Sequence, residues 1–151
     1  TLFAEAQQLY ERLPARAPIR FTKDTGSHAS YAMTAYPASA YLHLEDFDTA
    51  RKHGEIALAA LEPTPPGGRL SYAQAQTRLN LATALAGLGT PDDAVVLGSQ
   101  VLTSTRMVLP LAARVRDLDR ALMSRYPRLT CAREFHEQYR QVAQRSTVSS
   151  E

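Results

Sequence analysis

A self-similarity with a period of 44 residues constrains the fold of this chain more than any other feature. Residues 44–58 align with residues 88–102, and the matching pairs are Leu44 with Leu88, Ala50 with Ala94, Gly54 with Gly98 and Leu58 with Leu102. Each unit contains a helix-forming stretch, a very short turn and a second helix-forming stretch. A fixed period of this order is typical of arrays in which each unit buries its apolar face against its neighbours. The sequence therefore predicts consecutive helical hairpins.

Small side chains recur where the two helices of each predicted hairpin meet. Ala38 and Ala50 flank the turn of one unit, and Ala82 and Ala94 flank the turn of the next. Helices joined by so short a turn approach closely there, so we expect these alanines to be buried between the backbones. We expect larger side chains to fill the space beside them, namely Tyr41, Leu81, Leu85 and Leu88.

The composition favours an all-helical chain. Ala and Leu supply 43 of the 151 residues, whereas Val and Ile supply only 9. A parallel sheet would need runs of β-branched residues, and the sequence has none. No apolar stretch is long enough to cross a membrane, and the N-terminal segment, which carries Glu5 and Glu11, does not resemble a signal peptide. Because Cys131 is the single cysteine, an internal disulfide is excluded, and we expect a cytoplasmic protein without membrane contact.

Capping residues and helix breakers predict about seven helices. The predicted ranges are 2–13, 27–44, 46–61, 71–88, 90–104, 107–126 and 130–144. The clearest signals are a capping box of Ser71 and Gln74, a C-cap at Gly89 and an N-cap at Thr90 before Pro91. Together these helices make one domain, residues 1–144. Residues 145–151 lack an apolar pattern and are predicted to be a mobile tail.

These residues resemble the tetratricopeptide repeat, a stacked helix-pair solenoid. One unit carries Leu81-Ala82-x-x-Leu85, Leu88-Gly89 and Ala94, and the other carries Ala38-x-x-Tyr41, Leu44, Phe47, Ala50 and Ala57. The chain departs from that family because it has no Trp, has Gly54 and Gly98 at positions that are usually aromatic, and has a period of 44 rather than about 34 residues. The resemblance implies an all-α, right-handed helix-pair solenoid.

A narrower resemblance concerns residues 78–102 and the Arg-rich helix that ends in Ser124-Arg125-Tyr126-Pro127. Both are similar to the C-terminal sensor half of actinobacterial helix-turn-helix transcription regulators. The resemblance implies a ligand- or peptide-sensing and oligomerisation domain of a cytoplasmic regulator, with a homodimer as one form of assembly. DNA would be bound by a domain that this sequence does not contain, in agreement with a net charge of only +2. The alternative function is a passive adaptor for protein–protein interaction.

Two polar stripes predict the ligand-binding residues. They lie on the first helix of each predicted hairpin and consist of Tyr36, Ser39 and His43, followed by Gln76, Asn80 and Thr83. In helix-pair solenoids the first helices line the concave surface, where ligands bind. Phenol, hydroxyl, imidazole and amide groups suit a peptide or a small polar ligand, and Asn80 could make two hydrogen bonds with a peptide backbone. An ordinary solvated helix face contains the same residue types, and the sequence leaves both interpretations open.

No arrangement of residues predicts catalysis, a metal or a cofactor, so we do not expect an enzyme. We interpret the histidines, His136 included, as solvated residues or residues near helix caps. The helix dipole could lower the pKa of Cys131, although a lone cysteine at a helix start usually packs.

A basic cluster occupies the penultimate predicted helix and the turn after it. Its members are Arg114, Arg116, Arg120, Arg125 and Arg128. We interpret the cluster as a solvated face that Asp117 and Asp119 partly neutralise. The alternative is contact with an anion, such as a ligand carboxylate or DNA phosphates.

Overall fold

The computed structural model of the chain describes residues 29–148 apart from positions 62 and 65, together with Leu2, Ala4, Glu5, Gln8 and Arg12. Residues 29–148 contain six α-helices and, where described, no strand, so the all-helical class is confirmed. The helices are α1 (Ala29–His43), α2 (Phe47–Ala59), α3 (Tyr72–Leu88), α4 (Pro91–Ser104), α5 (Leu109–Arg125) and α6 (Thr130–Val148). The predicted Ser27 cap and most of the predicted first helix lie outside the described residues.

The predicted caps of α3 are both present. The Ser71 hydroxyl accepts a hydrogen bond from the Gln74 backbone N–H at 3.2 Å, and the Gln74 side chain accepts one from the Ser71 N–H at 2.8 Å. Gly89 ends the helix with φ of 90°, a left-handed conformation that glycine adopts without strain. Thr90 is the N-cap residue of α4 as predicted, but its hydroxyl makes no capping hydrogen bond and instead donates to the Leu85 carbonyl at 3.1 Å.

Several helix ends differ from the predicted bounds; α2, for example, ends at Ala59 rather than near Leu61. Helix α5 begins at Leu109 rather than Met107, so that Pro110 stands in the first turn, where its missing N–H costs no hydrogen bond. Helix α6 continues to Val148, and residues 145–148, which we assigned to a tail, are therefore helical. The amphipathic pattern ends before the helix does. The end of α6 predicted from that pattern was therefore too early.

The helices pack as three consecutive hairpins, α1–α2, α3–α4 and α5–α6. The first helices of successive hairpins are in contact, α1 with α3 and α3 with α5, and α2 also packs on α3. Helix α6 contacts both α4 and α5, whereas α4 and α5 touch each other only sparsely. As a result α3 is surrounded by four other helices.

The turns of the three hairpins lie at one end of the structure. The Tyr126 hydroxyl donates to the Ala86 carbonyl at 2.6 Å, and Arg125 donates to the Gly87 carbonyl at 2.9 Å. The Arg125 guanidinium also lies 5.1 Å from the centre of the Phe47 ring. The Phe47 ring itself lies so close to Gly87 that it leaves no room for a side chain there. These contacts join the first residue of α2, the end of α3 and the end of α5.

The residues predicted at the close helix contacts are buried. Ala38, Ala50, Ala82 and Ala94 each expose at most 1% of their surface. The predicted apolar stripe of α5 is confirmed as well, and its members are Leu111, Val115, Leu118 and Leu122. Leu88 does not fill the space beside the alanines, since it is 42% exposed at the α3–α4 turn.

Gly54 and Gly98 are equivalent in the repeat but have different surroundings. A methyl group at Gly54 would lie 3.5 Å from the Leu81 side chain, which is ordinary van der Waals contact. A methyl group at Gly98 would lie 2.7 Å from the Phe135 ring and 2.8 Å from Leu118. Both of those side chains are fully buried and have little room to move.

We therefore expect opposite effects of alanine at the two glycines. Gly98→Ala should lower the free energy of unfolding by about 1–3 kcal/mol through overpacking. Gly54→Ala should leave it unchanged or raise it by up to about 1 kcal/mol, because alanine favours a helix over glycine. Urea unfolding of both variants checks this, and equal effects at the two positions would contradict it.

His53 is held between α1 and α2. Its ring stacks on the Tyr41 ring with a centroid separation of 5.6 Å and an interplanar angle of 6°. The Nδ1 atom is buried and has no hydrogen-bond partner among the described residues. Burial lowers the pKa of His53 below its ordinary value, since no partner stabilises the charged ring.

The lowered pKa predicts that the α1–α2 hairpin weakens in acid. Below an ordinary histidine pKa of about 6.5, the unfolded chain binds a proton that the folded His53 excludes, so stability falls as the pH is lowered from about 7 to about 5. Replacing the ring by His53→Phe keeps the stack and removes the titration. Urea unfolding across this pH range should show a smaller loss in the variant, and parallel pH profiles would count against the interpretation.

Candidate functional site

The three predicted ligand-binding residues of α1 lie at or near the surface. Tyr36 is 65% exposed, His43 is exposed and Ser39 is half-buried. Helix α1 packs against α3, so the helices that carry the two polar stripes are neighbours. The phenol and imidazole groups are thus available to a ligand or partner.

The three predicted residues of α3 differ from one another in burial. Gln76 is half-buried. The Thr83 hydroxyl donates to the Leu79 carbonyl of its own helix at 2.9 Å, so its hydrogen is already used. Asn80 is only 3% exposed. A polar side chain so deeply placed needs partners, and the partners of Asn80 decide its role.

Asn80 is bonded to the next hairpin. Its Oδ1 atom accepts a hydrogen bond of 2.6 Å from Nη1 of Arg114, which is half-buried on α5. The amide nitrogen Nδ2 is buried and has no partner among the described residues. A buried donor left unsatisfied costs about 1–3 kcal/mol. Asn80 Nδ2 is therefore a donor without a partner among the described residues, and it is buried from solvent.

The basic cluster does not form one surface. Arg114 bonds Asn80, and Arg125 bonds the Gly87 carbonyl beside Phe47. Arg116 and Arg120 are exposed, and the Arg116 guanidinium is 3.9 Å from the Asp117 carboxylate. Two of the arginines thus serve contacts between helices, which the sequence did not indicate.

Asp119 has a different role from the one predicted. It is 6% exposed, and both of its carboxylate oxygens are 3.0 Å from Nδ1 of His136. The prediction that Asp119 neutralises the basic cluster is therefore wrong. His136 is half-buried on α6 rather than solvated. The pair joins α5 to α6. Its only indication in the sequence is that His136 directly follows Phe135, an apolar residue that the structure buries.

The thiol of Cys131 is not activated. Its pKa is raised, first by burial and then by a hydrogen bond with the Asp92 carboxylate. Both effects outweigh the dipole of α6, so the packing interpretation of this cysteine is favoured over a reactive one.

The described residues contain neither a metal-binding cluster nor a membrane-spanning helix. No group of three or more histidine, cysteine, aspartate or glutamate side chains that could hold a metal ion occurs among them. None of the helices in that part of the chain has the length and apolar character needed to span a bilayer.

Two concave regions were not predicted from the sequence. An apolar cavity of about 310 Å³ lies between the end of α4, the start of α5 and the second half of α6. A shallower polar depression of about 440 Å³ lies along α6 and includes Arg133 and Glu137. The consecutive apolar residues Met107, Val108 and Leu109, outside the stripe of α5, are the signal that could have indicated the first of these.

Comparison of the chain with protein-family models, with curated proteins and with solved structures gave no match.

The bond between Asn80 and Arg114 should contribute measurably to stability. In a double-mutant cycle of Asn80→Ala and Arg114→Ala, we expect a coupling free energy of about 1 kcal/mol, reduced from the value for a fully buried charged pair because Arg114 is partly solvated. The exposed pair of Arg78 and Gln100, joined at 3.1 Å between α3 and α4, serves as the control. Its coupling should be smaller, and an equal or larger value would show that burial of Asn80 adds nothing.

Proposed function

We propose that this chain is a ligand-sensing domain built from helix pairs of the tetratricopeptide type. It would form a right-handed solenoid whose first helices, α1, α3 and α5, line a concave groove. By its resemblance to sensor halves of helix-turn-helix regulators, it would serve a cytoplasmic transcription regulator and support its oligomerisation. DNA would be contacted by another domain, and the chain described here would bind the ligand.

The observation that carries this proposal is the position of Asn80. It belongs to the predicted groove stripe, is buried at the contact between two successive hairpins, and retains an unbonded N–H donor. Buried donors in native proteins usually have a hydrogen-bond partner. A ligand oxygen would accept a hydrogen bond from this donor, and its binding would thereby stabilise the contact between α3 and α5.

The chemistry of the pair favours a ligand with a carbonyl or a carboxylate. Asn80 Nδ2 and the remaining Arg114 N–H groups are all donors, and arginine pairs well with planar oxygen groups. Because Asn80 is buried, the ligand would reach it only when a neighbouring side chain moves, and Arg114 is the bonded, partly solvated neighbour. Gln76, Thr83, Ser39, Tyr36 and His43 would supply the more open part of the groove.

A passive protein–protein adaptor is the second candidate. The exposure of Tyr36 and His43 favours it, since an open polar-aromatic surface suits a protein partner better than a small molecule. In that case replacing Tyr36 and His43 by alanine would weaken binding of the partner, and small acids would not compete with it.

N-Acetylglycine, which carries both a peptide carbonyl and a carboxylate, is a minimal probe of the proposed groove. Titration of the ¹⁵N-labelled protein should shift the side-chain amide signals of Asn80 and Gln76 saturably. Asn80→Asp keeps an acceptor for Arg114 but replaces the free N–H by a negative charge. The variant should stay folded and bind the probe at least about tenfold more weakly, since one lost charge-assisted contact is worth more than 1.4 kcal/mol.

The matched control is Gln100→Glu, which makes the same amide-to-acid change in the other arginine–amide pair. It should leave binding of N-acetylglycine unchanged. Absence of a saturable shift at Asn80 in the wild type, or equal binding by Asn80→Asp, would overturn the assignment of Asn80 to a ligand site.

A further inference from the structure

A second concave site lies away from the proposed groove, on α4, α5 and α6. The cavity of about 310 Å³ is bounded by Leu102 from α4, Val108 from the connector, Ala112 from α5, and Tyr139 and Val142 from α6. None of its lining residues belongs to the predicted polar stripes, and none of them is charged. It therefore stands independently of the function proposed above.

The cavity exists because α4 and α5 do not close against each other. The residues that flank these helices, Thr105 and Val108, have extended backbone conformations, with ψ of 141° and 156°. The connector thus separates the end of α4 from the start of α5, and α6 packs against both helices across the gap. The space between the three helix ends is left with apolar walls.

The walls have a buried floor and an exposed rim. Leu102 and Val115 expose 7% and 0% of their surface and form the floor. Val108 and Leu109 form the rim, and Leu109 is 85% exposed. Exposing an apolar side chain of that size beside a preformed apolar cavity has a free-energy cost that an occupant would remove.

We infer that this cavity binds a small uncharged molecule that is apolar along most of its length and ends in one hydrogen-bonding group. Its volume is at the lower limit of ligand pockets, which span about 300–1,000 Å³. Apolar walls do not hold water well, and a charged group would lose its hydration there without a counter-charge. The hydroxyl of Tyr139 is the one side-chain polar group of the lining.

The size of the rim favours a small molecule over a protein segment. Its exposed apolar residues are Val108, Leu109 and Ala143, and the exposed Arg106 and Pro110 lie beside the first two in sequence. A docked helix needs apolar contacts repeated over at least two turns. These three residues do not form such a stripe, and the cavity, although it opens to solvent, has a buried floor of Leu102 and Val115.

Straight-chain primary alcohols from butanol to octanol test the inference, with binding followed by isothermal titration calorimetry and saturation-transfer NMR on the full chain. Each added methylene should tighten the dissociation constant about fourfold until the alkyl chain outgrows the cavity, because burial of one CH₂ has that value. Hexanoate should bind at least about tenfold more weakly than hexanol, since its carboxylate finds no cation in the lining.

Two variants locate the site. Ala112→Leu fills the cavity from α5 and should abolish alcohol binding, whereas Ala59→Leu makes the same change at an exposed position of α2 and should not. Tyr139→Phe is a second test that leaves the cavity open, and it remains informative even if Ala112→Leu does not fold. It should weaken hexanol about fivefold while leaving toluene binding unchanged, because only hexanol uses the hydroxyl.

Several results would overturn the inference. These are non-saturable binding by the wild type, no dependence on alkyl length, and equal binding by Ala112→Leu and Ala59→Leu. A further result would overturn the inference as well: a dimer in sedimentation experiments that the Ala112→Leu substitution dissociates but hexanol does not. The cavity would then be a contact between two copies of this chain.

Discussion

The close packing of helix α3 is the constraint on which the rest of the structure depends. Four of its alanines have no exposed surface: Ala75, Ala82, Ala84 and Ala86. A helix can be surrounded on several sides at once only where its side chains are short, because larger ones would hold the neighbouring backbones apart. Each methyl group buries little area, so most of the apolar stabilisation comes from larger residues of α5 and α6, such as Leu118, Leu122 and Phe135.

The sequence predicts those parts of the fold that depend on local chemistry. The capping box of Ser71, the left-handed Gly89 and the apolar stripe of α5 each follow from residue types at fixed spacing, and each is present. The end of α6 was placed too early because helix continuation past the last apolar residue needs no pattern. Gly54 and Gly98 are identical in the repeat, and only the facing side chains make one of them indispensable.

The candidate site was predictable only in part. Helical spacing placed Asn80 on one stripe with Gln76 and Thr83, but it could not predict that Asn80 is buried and bonded to a residue 34 positions away. The pair of Asp119 and His136 was missed for the same reason, since it depends on the relative placement of α5 and α6. Long-range polar contacts leave no period in a sequence. The apolar cavity was missed because it results from the separation of two helices rather than from any pattern within one.

Helix α5 carries two surfaces that face different neighbours. Arg114, bonded to Asn80 of α3, lies in sequence between Ala112 and Val115, which line the cavity beside α6. Because an α-helix is stiff over a span this short, a substitution that displaces α5 would disturb the Arg114 contact and the walls of the cavity together. One short stretch of α5 thus contributes to the contact between hairpins and to the apolar cavity.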